Sequence, residues 1–233
     1  MPDPSHSSEA PAAAPPAPAA RPASVPFLYD EAPDFEARST QGTVSLASYR
    51  GRWVLLFSHP ADFTPVCTSE LIAYARAAGR FAALGCQLLA LSVDGLYSHL
   101  AWLHSIRQNF GVEVPFPVIE DPSMSIARAY GMLQRHASSS GTVRGTFLID
   151  PEGIIRAINW YPISTGRSIS EELRLLQAVK LSYERPLYTP AGWQPGDDAI
   201  VPPPRTVEDA QARLPDASTV DWYYRTCPVP APK

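Results

Sequence analysis

The spacing of apolar residues changes from segment to segment along the chain, and each spacing predicts an element. Trp53-Val54-Leu55-Leu56-Phe57 is unbroken, lying between the turn Tyr49-Arg50-Gly51-Arg52 and the breaker Ser58-His59-Pro60. Such a run predicts a strand buried on both faces. Thr43-Val44-Ser45-Leu46 reads as a short strand before it. From Cys67 to about Leu84, residues Leu71, Ala75, Ala78 and Ala82 recur at helical spacing, and Gly85 ends the helix. Gln87 to Val93 is a second buried strand. A helix from Leu96 to about Phe110 follows, with Leu100, Leu103 and Ile106 turned inward. Phe116 to Ile119 is a third strand, and Asp121-Pro122-Ser123 starts a brief helix ending at Tyr130. Gly145–Ile149, the turn Asp150-Pro151-Glu152-Gly153, and Ile154–Ile158 predict a hairpin. A last helix, from about Ser168 to Tyr183, carries Leu173, Leu176 and Val179.

Alternating strands and helices imply an α/β fold, with right-handed crossovers giving a mostly parallel sheet covered on both faces. With a cysteine opening the first long helix, this order resembles the thioredoxin-like fold. The expectation is a central mixed sheet flanked by helices, spanning residues 26–186, plus a small C-terminal extension over 187–233. That extension is Pro-rich and carries Trp193, Trp222, Tyr223 and Tyr224. It is too small for its own core, so it is expected to pack on the main domain or on a second subunit.

Composition alters this picture at one end. Eight of the first 26 residues are Pro and eight are Ala. Pro has no amide donor and a fixed φ, so residues 1–25 read as a solvated, disordered tail. The tail has no charged start followed by an unbroken apolar run, which sets it apart from a secretory signal. A net charge of −4 argues against nucleic acid or an anionic membrane as the main partner. No apolar run approaches the roughly 18 residues needed to span a bilayer. The three cysteines, Cys67, Cys86 and Cys227, are too few and too far apart for a disulfide framework. Reduced thiols in a cytoplasmic setting are the expectation.

Chemistry concentrates in Phe57-Ser58-His59-Pro60-Ala61-Asp62-Phe63-Thr64-Pro65-Val66-Cys67-Thr68-Ser69-Glu70-Leu71. A free thiol with a pKa of about 8.5 is mostly protonated and slow at neutral pH. A cysteine in the first turn of a helix faces unsatisfied amides and the positive end of the dipole, which favour thiolate. Pro60 and Pro65 restrict the loop. Thr64 can bring a hydroxyl beside the sulfur, as donor to a thiolate and acceptor from a bound hydroperoxide.

The spacing Pro60-x-x-x-Thr64-x-x-Cys67 matches the signature of the peroxiredoxins, and the longer string resembles their one-Cys class. Ala90-Leu91-Ser92-Val93-Asp94 with His99 and Trp102, Arg144 to Gly153, Tyr161 to Arg167, and Thr189-Pro190-Ala191-Gly192-Trp193 extend the resemblance over roughly residues 26–225. It implies that Cys67 attacks a hydroperoxide to give a sulfenic acid, with Thr64 positioning the peroxide and Pro60 shielding the pocket. Arg144 would hold the thiolate and stabilise charge on the breaking O–O bond. Glu70 and Arg167 would orient Arg144, and His59 would sit next to the sulfur. No cofactor or metal is implied. An external thiol of thioredoxin, glutaredoxin or glutathione type would regenerate the thiol, in a homodimer or larger assembly. Cys227, expected to be exposed and mobile, is a candidate resolving thiol.

Plainer readings stand beside these. Cys67 and Cys86 could be small buried hydrophobes, His59 a packed histidine, Arg144 and Arg167 ion-pair residues, and Glu70 a helix-dipole partner. Rival chemistries lack their residues. Arg52 stands where a G-x-S-x-G lipase motif needs serine. Residues 68–70 hold no resolving cysteine for a disulfide reductase. His99, His104 and His136 exist, but no protease-type signature surrounds Cys67. A chaperone or redox-sensor role remains compatible as an addition.

Overall fold

A computed structural model describes residues 25–133, 141–213 and 219–229. Residues 1–24 of the expected tail, and His136, lie outside them. The first elements are strands β1 (Glu36–Ser39) and β2 (Gly42–Ser45), paired as an antiparallel hairpin. Periodicity finds only the second, because β1 has a single apolar residue, Ala37, and is held by pairing rather than by a buried face. Leu46 opens a 3-10 turn instead of ending the strand.

The unbroken apolar run forms β3 (Trp53–Ser58), all six residues of which are buried. Its side chains alternate as strand geometry requires. Trp53, Leu55 and Phe57 enter one core, while Val54 and Leu56 enter the core on the opposite face. Then come helix α1 (Pro65–Ala83), β4 (Cys86–Ser92), α2 (Leu96–Phe110), β5 (Val118–Glu120) and the short α3 (Ser125–Ala129). The hairpin is β6 (Arg144–Ile149) and β7 (Ile155–Tyr161), and α4 (Ile169–Glu184) follows. The sheet runs β2-β1-β5-β4-β3-β6-β7. Only β3–β4 and β4–β5 are parallel among its pairs. The sheet is therefore mixed and flanked by helices, as expected, with parallel pairing confined to the β3–β4–β5 centre rather than dominating it. The β1–β2 and β6–β7 turns are too short for crossovers, so each adds antiparallel neighbours.

Helices α1, α2 and α4 cover one face through Leu71, Tyr74, Phe81, Trp102, Ile106 and Leu176. The helical phase differs from the expectation in two places. On α1, Tyr74, Ala77 and Phe81 take the buried face, leaving Ala82 exposed and Ala75 and Ala78 half-buried. The larger rings bury more area and win the contact. On α2, Leu100 is 44 % exposed, and His99 is buried in its place.

Beyond α4, β8 (Ala199–Ile200), α5 (Val207–Ala212), β9 (Thr219–Asp221) and β10 (Tyr224–Cys227) include a small sheet ordered β8-β10-β9. Trp193 and Ala199 pack against Ala178 and Leu181 of α4. The segment thus covers its own main domain, while Val220, Trp222 and Tyr223 remain exposed.

Candidate active site

Two neighbouring strands end together and carry the two central groups. The Ser58 hydroxyl donates to the Val143 carbonyl and accepts from the Gly145 amide, fixing the end of β3 to the start of β6. Cys67 follows the first strand and Arg144 opens the second. Gly145 keeps this corner tight, since a Cβ there would lie 2.8 Å from the Trp160 ring on β7. In the loop after β3, Phe63 holds a left-handed φ of 55°. Thr64 is the N-cap of α1 and Pro65 its first residue, so the helix opens two residues before the cysteine. The first intrahelical bond is Thr68 N–H to the Thr64 carbonyl, 2.9 Å. The amides of Val66 and Cys67 have no intrahelical acceptor and point toward the N-terminal end.

Cys67 is 1 % exposed. Arg144 Nη1 donates to its Sγ at 3.3 Å and to Glu70 Oε2 at 2.7 Å. Nε and Nη2 of Arg144 are fixed on the Ile163 carbonyl at 3.1 and 2.7 Å. Glu70 also accepts from Arg167: the backbone amide and Nε reach Oε1, and Nη2 reaches Oε2, at 2.8 to 2.9 Å. Arg167 Nη1 donates to the Gly145 carbonyl and the Thr146 hydroxyl. Its guanidinium lies over Phe57 and Tyr74, 5.2 and 5.6 Å from the ring centres. Burial alone would raise the Glu70 carboxyl. The hydrogen bonds and charge of Arg167, with Arg144 beyond, hold it below the ordinary carboxylate range. Two guanidiniums against one carboxylate leave a positive excess beside the sulfur. Glu70 is not in the first turn of α1, so its partners are these arginines rather than the helix dipole.

The resemblance puts His59 next to the sulfur, and its hydrogen bonding runs to Asp62. Its Nε2 meets Asp62 Oδ1 at 2.9 Å, and the second oxygen of Asp62 meets His99 Nδ1 at 2.7 Å. The Asp62 amide donates to Asp94. Among the described residues, Arg144 is the hydrogen-bond partner of Sγ, and His59 Nδ1 is buried without one. Burial pushes the His59 imidazole down, against the pull of Asp62. Burial would raise Asp62, but hydrogen bonds from both histidines keep it below the usual range. His59, Asp62 and His99 are close enough to surround an ion. Their direct hydrogen bonds account for that closeness. Asp62 was not singled out from the sequence, although its spacing of three from His59 was the available signal.

The Thr64 hydroxyl donates to the Ala61 carbonyl at 2.9 Å, so its proton is engaged and its lone pairs are left to accept. Donation from Thr64 to the sulfur is therefore absent in this arrangement. Pro60 is half-buried at the start of the loop. A cleft of about 670 Å³ adjoins the loop, lined by Phe63, Thr64, Ile72, Arg76, Trp102 and Phe110 among others. Cys86 is buried, which pushes its thiol up to about 12. Cys227 is half-buried in β10, opposite Ala199, and packs with the α4–Trp193 cluster rather than with the residues around Cys67. The expected exposure of this thiol is corrected accordingly, since strand pairing and apolar contact cover part of it.

The profile described as the AhpC/TSA family matches residues 28–158, and that of the C-terminal domain of 1-Cys peroxiredoxin matches residues 178–217. Peroxiredoxin 2 of Thermoplasma acidophilum is 47 % identical over 195 residues, covering 84 % of this chain and 97 % of that protein. A peroxiredoxin of Aquifex aeolicus is 45 % identical over 212 residues, covering 86 % and 96 %. Among solved structures, a yeast mitochondrial 1-Cys peroxiredoxin superposes with a TM-score of 0.78 at 37 % identity, covering 87 % of this chain and 99 % of that one. Peroxiredoxin 6 of Arenicola marina gives 0.75 at 35 %, covering 89 % and 99 %. A buried thiol under a guanidinium, on a thioredoxin-like sheet and with these relatives, places the chain in the one-Cys class of the peroxiredoxin family, the thiol-dependent peroxidases.

Proposed function

We propose that Cys67 is the peroxidatic nucleophile and that Arg144 is its electrostatic partner. The observation that carries this reading is the 3.3 Å contact of Arg144 Nη1 with Sγ inside the Glu70–Arg167 cluster. The thiolate attacks the terminal oxygen of a hydroperoxide, the S–O bond forms and the O–O bond breaks. Cys67 becomes a sulfenic acid, and the departing oxygen takes a proton to leave as water or an alcohol. Negative charge spreads along S···O···O in the transition state, where a fixed guanidinium stabilises it without reorganising. Thr64 accepts from the peroxide O–H, Pro60 shields the pocket, and His59, held by Asp62, tunes the protonation of the sulfur or the fate of the sulfenate. Glu70 and Arg167 hold Arg144 in place.

An external thiol of glutathione or thioredoxin type closes the cycle, as the yeast relative is described with both systems. Cys227 is the second candidate, and its half-buried strand must open before it reaches another sulfur. The exposed Val220, Trp222 and Tyr223 support a homodimer formed through the C-terminal sheet. Three unpaired cysteines fit a reducing, cytoplasmic setting. The test is one equivalent of hydrogen peroxide on reduced protein, followed by trapping and mass spectrometry of all three cysteines. Sulfenic acid at Cys67 is expected, and a Cys67→Ser variant inert to peroxide. A Cys67 that stays a thiol in folded protein would sink the reading. A Cys67–Cys227 disulfide would identify the resolving thiol.

A further inference from the structure

Glu172 lies on the buried face of α4, beside Leu173 and Leu176, and is 2 % exposed. Among the described residues, neither carboxyl oxygen has a hydrogen-bond partner of good geometry. Thr146 and Asn159, which are paired across β6 and β7, face it. The charged and titratable groups around it are Arg167 from the preceding segment, Glu171 on its own helix, Tyr74 from α1 and Tyr161 from β7. The Tyr74 hydroxyl is likewise buried without a partner of good geometry among the described residues. An acid in this position either keeps its proton or draws on the nearest cation. That cation is Arg167, which is already committed to Glu70 and touches Thr146.

We propose that Glu172 is a positioning residue whose protonation state sets how firmly Arg144 holds the Cys67 sulfur. The path runs from Glu172, which Thr146 and Arg167 face, through Arg167 to Glu70, which shares Arg144 Nη1 with Sγ. As the neutral acid, Glu172 leaves Arg167 to neutralise Glu70, and Nη1 remains available to sulfur. As the carboxylate, it competes for Arg167. Glu70 then draws harder on Arg144, and Sγ loses part of its donor. The added negative charge acts in the same direction. Burial pushes this carboxyl up to about 6, so the change falls within the working range of pH.

The proposal rests on Cys67 being the reacting thiol, and the experiment separates the two. Wild type, Glu172→Gln and Glu172→Leu are compared from about pH 5 to about pH 8 by two readouts. One is the ultraviolet thiolate absorbance of Cys67, taken as a difference against Cys67→Ser in each background. The other is the rate of Cys67 oxidation by hydrogen peroxide. Both variants are expected to lose an inflection centred near pH 6. They should also react roughly threefold faster than wild type at about pH 7.5 and converge with it near the acid limit. Superimposable pH profiles overturn the proposal, as does a change confined to the leucine variant, which would report packing alone. A thiolate inflection with no peroxide reaction would support Glu172 while defeating the peroxidase assignment of Cys67.

Discussion

Glu70 and Glu172 are two buried carboxyls of nearly equal exposure, 3 % and 2 %, on either side of one arginine. Glu70 accepts from two guanidiniums and a backbone amide and lies below the ordinary carboxylate range. Glu172 has no partner of good hydrogen-bond geometry among the described residues, only Thr146 and Asn159 facing it, and is pushed up to about 6. Burial penalises both charges alike, so the partners decide the sign. The lesson extends to pH. Stabilisation from Glu70 is present above its unfolded value and is lost as pH falls through its lowered folded value. Glu172 behaves oppositely: its penalty is absent below its ordinary value of 4.5 and complete above about 6.

The comparison breaks most severely at Glu70. Glu70→Gln leaves Arg144 and Arg167 buried without a counter-charge, and denaturation should show a loss of about 3–5 kcal/mol. Arg144→Lys keeps the charge but gives up the fork that spans Sγ, Glu70 and the Ile163 carbonyl. Stopped-flow oxidation should be slower by about 10²–10³-fold, and an unchanged rate would remove Arg144 from the mechanism. Glu172→Gln should gain about 2 kcal/mol above pH 6, the equivalent of its displacement from 4.5, and nothing near pH 4. A gain at both pH values would mean packing rather than charge. Glu171, next in sequence but on the exposed side and paired with Arg174, is the control. Glu171→Gln should change stability by about 0.5 kcal/mol or less at any pH.

What could be read from the sequence followed from how local each signal is. The unbroken run at Trp53 fixes a strand within a few residues, and a proline before Cys67 marks a helix start. The loop motif, the arginine strand and the Tyr161–Arg167 string also name residues that the fold does bring together at Glu70, Arg144 and Arg167. Non-local facts were hidden. β1 owes its existence to partners far away in the chain. Hydrophobic periodicity assigned Leu100 to the core because it scores leucine above histidine, yet His99 is buried where Asp62 and the Ile119 carbonyl receive it. Glu172 would read as solvent-facing on any hydropathy scale. Only the packing of α4 over Thr146 and Asn159 shows otherwise.

The sealed sulfur also bears on how this protein is handled at the bench. Cys227 is the most accessible of the three thiols and Cys67 has 1 % exposure. Under the proposed mechanism, reactivity toward peroxide therefore runs opposite to accessibility. A bulky maleimide tag applied to native protein will report first on the C-terminal strand, so a thiol inventory made that way would credit the wrong cysteine. Small oxidants, read out after unfolding, are the probes that rank the three sulfurs by chemistry.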